Sequence, residues 1–316
     1  MKPAKNIIDL IGNTPLVRLN HLLGENDATV FAKLESYNPG GSIKDRIGHA
    51  MISDAEQRGL LKPGHTIVEP TAGNTGIGLS IVGLASGYHI ILVMPENVSH
   101  EKYMLLSAFG AEIVLTPEAE SMNGAIWEAE EIVRRHPNHF MPNQFINPAN
   151  PEVHRQTTAR EIVEALDTPI DFFVVGVGTG GTLTGVGEVL KNRYPDVQIV
   201  AVEPSVSPVL SGGQPGPTHI DGIGAGRVPE VLNVDIIDRV ITVSDEDAYR
   251  TMKKISQTEG LIVGMSSGAN VWATLKVAKD LGEDKMLVTI LPDTGERYFS
   301  KSQYFEDTYD ILDASP

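Results

Sequence analysis

A lysine next to a glycine-rich turn is the residue of this chain best suited to covalent chemistry. The turn Asn38-Pro39-Gly40-Gly41 cannot extend a helix, and Ser42-Ile43-Lys44-Asp45-Arg46 follows it directly. Ser42 with Asp45 three residues later is typical of a helix N-cap, which puts Lys44 in the first turn. That end of a helix disfavours an ammonium group, so the amine should favour its neutral, nucleophilic form. We predict that Lys44 binds an aldehyde as a Schiff base; an exposed lysine at a helix start is the alternative.

A glycine-rich segment in the second half of the chain predicts an anion site. Gly176-Val177-Gly178-Thr179-Gly180-Gly181-Thr182 lies between a strand pattern and a helix pattern. Backbone N–H groups can converge on an anion there, and the helix start adds favourable potential, so we expect a phosphate. A dinucleotide-binding loop is a second interpretation, because Glu203 nearly fits the acidic residue that such a site needs about 20 positions later. A plain strand-to-helix turn is the third.

Two further segments have polar groups at predicted helix starts. Pro70-Thr71-Ala72-Gly73-Asn74-Thr75-Gly76 offers hydroxyls, an amide and free N–H groups, which suit a small carboxylate; capping of the helix by Asn74 or Thr75 is the alternative. Gly264-Met265-Ser266-Ser267-Gly268-Ala269 also precedes a helix pattern. Either serine could cap that helix, or its hydroxyl could bond a heteroaromatic nitrogen.

Composition removes several classes of function. The chain has 316 residues, 41% of them hydrophobic, which is enough for two lobes with cores. A net charge of −16 without a basic cluster argues against nucleic acid. No apolar run approaches the roughly 20 residues that span a bilayer, and the N-terminus lacks a signal-peptide core, so we predict a cytoplasmic protein without membrane contact. There are no cysteines for thiolate chemistry, and the nine histidines form no metal pattern, so we predict no metal.

Short apolar runs alternate with segments of helical period almost to the C-terminus. This rhythm predicts an α/β fold with mainly parallel sheets covered by helices on both faces. The segment Ser121 to Arg135 is predicted as an amphipathic helix, the proline-rich stretch 136–151 as a crossing between two lobes, and the stretch 204–229 as a functional loop. The predicted strands are Val30 to Leu34, Thr66 to Glu69, Ile90 to Met94, Glu112 to Leu115, Phe172 to Val175, Ile199 to Glu203, Val240 to Val243 and Met286 to Leu291.

An aldehyde-binding lysine, a phosphate loop and a carboxylate loop together describe a site for pyridoxal 5′-phosphate and an amino acid. At these residues the chain resembles the cysteine synthases, or O-acetylserine sulfhydrylases, of the fold-type II pyridoxal-phosphate enzymes. The resemblance covers nearly the whole chain, from Ile11-Gly12-Asn13-Thr14-Pro15-Leu16 to Asp293-Thr294-Gly295-Glu296-Arg297-Tyr298. Its motifs occur in the family's order: Asn38 to Arg46, Glu69 to Gly76, Asn147 to Pro151, Gly178 to Thr182 and Ser266 to Ala269.

The resemblance implies a fold and a set of roles. It implies two doubly wound lobes of the tryptophan synthase β type, a smaller one (36–150) with the substrate loop and a larger one (1–35 plus 151–316) with the phosphate loop. Lys44 would be the Schiff-base and catalytic residue, Asn74 the partner of the ring hydroxyl, and Ser266 the partner of the pyridine nitrogen. Phosphate would lie on Gly178, Thr179, Gly180, Gly181 and Thr182, and the substrate carboxylate on Thr71, Gly73, Asn74, Thr75 and Gln144.

The reaction implied is a β-replacement. Lys44 would take the α-proton of O-acetyl-L-serine, acetate would leave, and sulfide would add to the bound α-aminoacrylate to give L-cysteine. The family also suggests a homodimer and binding of the C-terminal tail of serine acetyltransferase.

Three positions depart from the family's pattern and leave alternatives open. Ala72 stands where cysteine synthases usually have serine, and compact bacterial cystathionine β-synthases, which use homocysteine, can have that alanine. Asp221 and Arg227 flank the typical segment 222–226 and are themselves less typical. Arg227 is either a solvated rim charge or a partner for the phosphate of O-phosphoserine, as in an O-phosphoserine sulfhydrylase. A docking partner of serine acetyltransferase without activity is the non-enzymatic alternative.

Overall fold

A computed structural model of the chain describes residues 3–24, 27–279 and 281–305. In chain order its strands are β1 (Leu16–Arg18), β2 (Thr29–Leu34), β3 (Thr66–Pro70), β4 (His89–Pro95), β5 (Glu112–Thr116), β6 (His139–Phe140), β7 (Phe172–Gly176), β8 (Gln198–Pro204), β9 (Arg239–Val243) and β10 (Met286–Leu291). Its α-helices are α1 (Lys44–Gln57), α2 (Asn74–Ala85), α3 (His100–Ala108), α4 (Ser121–Arg135), α5 (Ala149–Val153), α6 (Ala159–Ala165), α7 (Gly181–Arg193), α8 (Asp245–Glu259) and α9 (Met265–Ala278).

The larger sheet has six strands in the order β1-β2-β10-β7-β8-β9. Its strands are parallel except for β1, which pairs antiparallel with β2. Successive residues of β7 enter different cores: Phe173 packs with α7 on one face, and Val174 packs with α9 on the other. Burial on both faces explains why this strand is apolar throughout.

The smaller sheet has four parallel strands in the order β5-β4-β3-β6. Ile67 of β3 packs with α1 and α2, whereas the next residue, Val68, packs with α4 on the opposite face. The α/β prediction with mainly parallel sheets is therefore confirmed. Strands β1 and β2 join β7–β10 in the larger sheet, and β3–β6 form the smaller one; the boundaries near residues 35 and 150 stay a prediction.

Helices α1 and α2 cross with their backbones almost in contact. A Cβ on Gly78 would lie 2.6 Å from the carbonyl oxygen of Lys44, and one on Gly48 would lie 2.7 Å from the carbonyl carbon of Gly78. Only glycine permits so close an approach. The crossing brings together the N-terminal ends of the two helices, where Lys44 and Asn74 are located.

Candidate active site

A cavity of about 300 Å³ lies between the two sheets, beyond the carboxyl ends of β3, β7 and β10. This is where open α/β sheets bind ligands, and the volume suits a small organic molecule. All of the predicted site residues except Gly181 line the cavity: Lys44, Thr71, Gly73, Asn74, Thr75, Gln144, Gly178, Thr179, Gly180, Thr182 and Ser266. Ala72, Lys102, Asp221, Asp293 and Tyr298 line it as well.

Lys44 is the first residue of α1, but the predicted capping box is wrong. The helix has Ile43 at its N-cap, without a side-chain cap. The carboxylate of Asp45 instead accepts a hydrogen bond from the backbone N–H of Gly40, while Ser42 Oγ accepts from the N–H of Lys44 at 3.2 Å. In a capping box the side chain of Asp45 would accept from the backbone N–H of Ser42. Here it accepts from the N–H of Gly40, because the preceding turn folds back over the start of the helix.

Burial is the largest influence on the pKa of Lys44. Its amine makes no hydrogen bond or ion pair within the described part of the chain, and burial lowers its pKa, opposed by the negative charges of Asp293 and Glu35. The sequence predicted a neutral, nucleophilic amine because of the helix end. The direction agrees, but the main cause is removal from water.

A buried ionic network anchors the first turns of α1. Arg46 is 1% exposed and donates to Glu35 at 2.7 Å and to Glu161 at 2.7 Å. Lys33 pairs with the same Glu161 at 2.7 Å. Burial alone would raise the pKa of Glu161, but hydrogen bonds and charge from Arg46 and Lys33 lower it to about 2. The network ties α1 to β2 and α6, and thereby fixes the backbone that carries Lys44.

The glycine-rich loop precedes α7, which begins at Gly181. A Cβ on Gly178 would overlap the carbonyl oxygen of Gly222, so this position needs glycine. Gly181 packs behind the loop against Asn150, and its N–H donates to Thr179 Oγ1 at 3.4 Å. Its predicted phosphate contact stays a prediction.

Two residues that sequence analysis missed support this loop. Asn150 donates to Thr179 Oγ1 at 3.0 Å and to the carbonyl oxygen of Gln144 at 2.8 Å. Nε2 of the buried His154 lies 3.3 Å from Thr182 Oγ1, and burial holds its pKa well below the usual range. Asn150 lies in the motif Asn147 to Pro151 of the resemblance, and that motif could have pointed to it. No motif of the resemblance includes His154.

The predicted carboxylate loop, residues 70–76, has N–H groups and hydroxyls at the start of α2. The helix begins at Asn74 after Gly73, and no side chain caps it, so the capping alternative for Asn74 and Thr75 is wrong. Thr75 Oγ1 donates to Gln144 Oε1 at 2.7 Å. That bond leaves Nε2 of Gln144 as a donor without a partner among the described residues. Both side chains face the cavity.

Asn74 is held by the segment that follows β10. Its Nδ2 donates to Asp293 Oδ2 at 2.6 Å, and its Oδ1 accepts from Arg297. The hydroxyl of Tyr298 donates to the same oxygen of Asp293. Burial raises the pKa of the Asp293 carboxyl. The sequence predicted no role for Asp293, although the residue lies in the last motif of the resemblance.

Ser266 lies in the first turn of α9, which begins at Met265 after an N-cap at Gly264 that has no side-chain bond. Neither Ser266 nor Ser267 caps the helix, so the capping alternative is wrong here too. Ser266 is 4% exposed and lines the cavity, and its hydroxyl makes no hydrogen bond within the described residues. It is therefore available to a ligand.

Glu203, the acidic residue considered for a dinucleotide site, already accepts hydrogen bonds from the loop that follows it. Glu203 is 2% exposed. One carboxylate oxygen accepts from the N–H of Leu210 at 2.7 Å, and the other accepts from the N–H and hydroxyl of Ser211 at 3.0 and 2.6 Å. Glu203 fixes the following loop, so a ribose would have to break these bonds.

Charged side chains surround the mouth of the cavity. Asp221 pairs with Lys102 at 3.1 Å and with Lys301 at 2.8 Å, which joins α3 to the large-sheet loops. Arg227 is exposed, and its guanidinium lies 5.2 Å from the ring centre of Phe145, another lining residue. A cation over an aromatic face at this distance is favourable.

The donor set suits pyridoxal 5′-phosphate. A buried unpaired amine, a glycine-rich loop at a helix start and an unpaired buried hydroxyl face one cavity. These are the groups that an aldehyde, a phosphate and a ring nitrogen need. Among the described residues, no group of three or more His, Asp or Glu side chains is arranged to hold a metal ion. No helix in that part of the chain is long and apolar enough to cross a membrane.

Comparison with known proteins identifies the family. Residues 7–293 match a family described as pyridoxal-phosphate dependent enzymes. A cysteine synthase of Staphylococcus aureus is 52% identical over 308 residues, which cover 97% of this chain and 99% of the relative.

Two solved structures are similar over nearly the whole chain. A cysteine synthase of Entamoeba histolytica is 39% identical with a TM-score of 0.92, covering 100% of this chain and 93% of its own. An O-acetylserine dependent cystathionine β-synthase of Helicobacter pylori is 40% identical with a TM-score of 0.88, covering 95% of this chain and 98% of its own. The chain therefore belongs to the pyridoxal-phosphate dependent enzymes, within the cysteine synthase family.

Proposed function

We propose that this enzyme makes L-cysteine and acetate from O-acetyl-L-serine and sulfide, with pyridoxal 5′-phosphate as cofactor. One observation carries the proposal: the unpaired, buried amine of Lys44 shares a cavity with a phosphate-type loop and a carboxylate-type loop. The names of the relatives agree with it.

The cofactor would be held at four points. Lys44 would bind its aldehyde, and Asn74 its ring hydroxyl. The loop at Gly178, Thr179, Gly180, Gly181 and Thr182 would bind its phosphate, and Ser266 its pyridine nitrogen. When bound, the cofactor withdraws electrons from the α-carbon of the amino acid, which makes the α-proton acidic and lets the β-substituent leave. A neutral hydroxyl at Ser266 would leave the ring nitrogen unprotonated and keep that withdrawal moderate.

Lys44 would also transfer the proton. Nζ of Lys44 would take the α-proton and return it after the thiol has added. The burial that lowers its pKa supports this role, because a base must be neutral before it can accept a proton.

The substrate carboxylate would lie at the start of α2. The donors there are the backbone N–H groups of Asn74 and Thr75, which have no partner among the described residues, together with the hydroxyl of Thr71 and Nε2 of Gln144. Gly73, whose N–H donates to Thr71 Oγ1 at 3.2 Å, would complete this group. The loop 70–76 has no acidic side chain that would repel a carboxylate bound here.

We further propose that the lobes formed by 36–150 and by 1–35 plus 151–316 close over the substrate and exclude water from the reaction. The part of the second lobe at 306–316 lies outside the described residues. The ion pair between Lys102 of α3 and Asp221 supports such a contact across the mouth.

Homocysteine is the second candidate for the thiol. Ala72 lines the cavity without the hydroxyl that cysteine synthases usually have there, and the similar Helicobacter pylori protein is named as a cystathionine β-synthase. O-phosphoserine is a further candidate substrate because Arg227 lies at the rim. Replacing Arg227 by alanine should leave any use of O-phosphoserine unchanged if this arginine is only a rim charge.

The absorbance spectrum of the purified enzyme tests the function. We expect a visible cofactor band that O-acetylserine changes and that sulfide restores within the mixing time. Rapid restoration by homocysteine as well would identify a cystathionine-forming enzyme. A preparation loaded with cofactor that lacks any visible band would contradict the role of Lys44.

A homodimer, a cytoplasmic location and binding of the serine acetyltransferase tail are parts of the same proposal. Light scattering of the purified enzyme tests the first, and titration with a peptide of that tail tests the last. An enzyme that turns over O-acetylserine and sulfide would contradict a purely non-enzymatic docking role.

A further inference from the structure

The carboxamide of Asn74 is bonded at both ends by residues that follow β10. Nδ2 donates to Asp293 Oδ2 at 2.6 Å, and Oδ1 accepts from Nη1 of Arg297. Asn74 opens α2 beside the smaller sheet, whereas Asp293 and Arg297 follow the central strand of the larger sheet. These two bonds therefore cross from one sheet to the other at the cavity.

The two partners determine which way the amide points. A guanidinium has only donors, and Oδ2 of Asp293 acts as the acceptor for both Asn74 and Tyr298. Turning the amide over would place a donor against Arg297 and an acceptor against Asp293. The amide nitrogen has two hydrogens, and Asp293 takes one of them. The hydroxyl of Tyr298 also hydrogen-bonds Asn74, so a ligand in the cavity would share the second N–H with that hydroxyl.

Asp293 itself is rigidly placed. It is 1% exposed, its backbone pairs with Ser42 in an antiparallel bridge, and its Oδ2 also accepts from the hydroxyl of Tyr298. Oδ1 is buried and makes no hydrogen bond with any described residue. The protein thus keeps a buried carboxyl group although one of its oxygens is unpaired, and this cost in stability indicates that the group has a function. Orientation of Asn74 is a function that requires only Oδ2.

We propose that Asp293 is a positioning residue: together with Arg297 it fixes the Asn74 amide so that its second N–H meets the ring hydroxyl of the bound cofactor. This inference rests on the proposed role of Asn74. Asp293 would act through Asn74, without touching the reacting atoms.

Spectra of the cofactor-loaded enzyme without substrate test the inference. The variants are Asn74→Ala, Asp293→Ala, Asp293→Asn and the double variant Asn74→Ala/Asp293→Ala. For each, the absorbance of the bound cofactor is recorded across pH, its dissociation constant is measured by dialysis, and thermal unfolding is followed. We expect Asp293→Ala to shift the spectrum in the same direction as Asn74→Ala and to weaken cofactor binding about tenfold, the effect of one lost bond to a charged group.

Two comparisons separate positioning from a general effect of the mutation. Asp293→Asn keeps an oxygen that can accept from Asn74, so it should restore the wild-type spectrum. The double variant should match Asn74→Ala in cofactor affinity, because the positioning effect of Asp293 acts through Asn74, whereas its charge near Lys44 would alter only the pH dependence of the spectrum. An Asp293→Asn spectrum as altered as that of Asp293→Ala would overturn the inference, since charge rather than orientation would then matter.

The remaining outcomes are also decisive. A wild-type spectrum for Asp293→Ala beside a shifted spectrum for Asn74→Ala overturns the inference but leaves the proposed function intact. An unchanged spectrum for Asn74→Ala overturns the inference together with the proposed role of Asn74. If Asp293→Ala fails to fold, Arg297→Met replaces it, because Arg297 is only partly buried. Arg297→Met should shift the spectrum in the same direction, and an unshifted spectrum would again overturn the inference. The surface variant Arg250→Met is the matched control.

Discussion

The backbone N–H of Gln144 donates a 3.2 Å hydrogen bond to Oε1 of Glu69, across 75 positions of the chain. Oε2 of the same carboxylate accepts from the N–H of Asn143 at 2.9 Å. Glu69 is 1% exposed, and burial raises its pKa to about 7. A buried side chain of β3 thus sets the position of Gln144 beside the substrate loop.

Replacing Glu69 by glutamine should weaken substrate binding. The new NH2 group would face one of the two backbone N–H groups, so one bond is lost and the Gln144 segment shifts. We expect KM for O-acetylserine to rise about tenfold with a smaller change in kcat, since a typical lost hydrogen bond costs about 1 kcal/mol and an unpaired buried donor adds to this. Steady-state kinetics measure the effect.

Glu203→Gln is the matched control for Glu69→Gln. Glu203 is a buried carboxylate that also holds backbone N–H groups of a loop, those of Leu210 and Ser211, which do not line the cavity. Its variant should lose stability while KM stays within about twofold. Equal effects of the two substitutions on KM would refute a specific role of Glu69.

Removal of the Lys44 amine should abolish turnover. Lys44→Ala lacks both the proposed Schiff-base partner and the group proposed to move the α-proton, so kcat should fall by at least about 10³-fold. The cofactor should then dissociate on dialysis, which the loss of visible absorbance would report. Lys276→Ala, at a lysine that lies 3.8 Å from the ring centre of Trp272, serves as a control that should retain both properties. Persistent activity in Lys44→Ala would require a different base.

Restoring the family's usual hydroxyl tests the substrate loop. Ala72→Ser would add a donor beside the proposed carboxylate site, worth about 1 kcal/mol, or roughly a fivefold lower KM for O-acetylserine. The ratio of sulfide to homocysteine use, measured in the same preparation, should rise if Ala72 is what admits the larger thiol. An unchanged ratio would mean that other residues select the thiol.

A methyl group on Gly178 should damage the phosphate loop. It would overlap the carbonyl oxygen of Gly222, so both loops must move apart. We expect cofactor affinity to fall at least about tenfold while the fold survives, as measured by fluorescence titration and circular dichroism. Gly282→Ala is the control, because its Cβ would meet only the Asp284 side chain, at 3.1 Å. Wild-type affinity in Gly178→Ala would contradict the role of this loop.

The ionic network behind Lys44 should make stability depend on acid pH. The pKa of Glu161 lies at about 2 in the folded chain and ordinarily at 4.5, so its contribution is complete above pH 4.5 and is lost as the pH falls toward 2. Glu161→Gln should lose roughly 3 kcal/mol at neutral pH, because Arg46 and Lys33 keep their charges without this partner.

Thermal unfolding from pH 6 to 2 measures this dependence. The Tm of Glu161→Gln should fall less steeply than that of the wild type below pH 4.5. The exposed pair of Glu246 with Arg250 provides the comparison, and Glu246→Gln should leave the curve unchanged. Parallel curves for Glu161→Gln and the wild type would exclude Glu161 as the source of acid sensitivity.

The sequence predicted the parts of the site that depend on local pattern. Eight strands and the helix Ser121–Arg135 lie where periodicity placed them, to within about a residue at the strand ends. Strands β1 and β6 were missed because three and two residues are too short to show a period. Sequence analysis selected Lys44, which lines the cavity, because a glycine-rich turn and a helix start are both local signals.

What could not be predicted depends on contacts between distant segments. The low pKa of Lys44 arises from burial among residues that follow other strands, and the link from Asn74 to Asp293 spans 219 positions. The capping of α1 was predicted wrongly because the helix end is bonded to Gly40, which precedes the assumed cap. His154 reaches Thr182 of the glycine-rich loop only because the segment that follows α5 packs against α7, which a single sequence does not reveal.

The position of β10 has a consequence for biosynthesis. This strand is the last in the described chain, yet it lies between β2 and β7. On the ribosome, β2 and β7 must wait with open edges until β10 emerges, and pairing between such distant segments is slow. We expect the buried setting of Lys44 to form only after β10 has left the ribosome. Partly made chains would then have no assembled pocket in which to capture the cofactor.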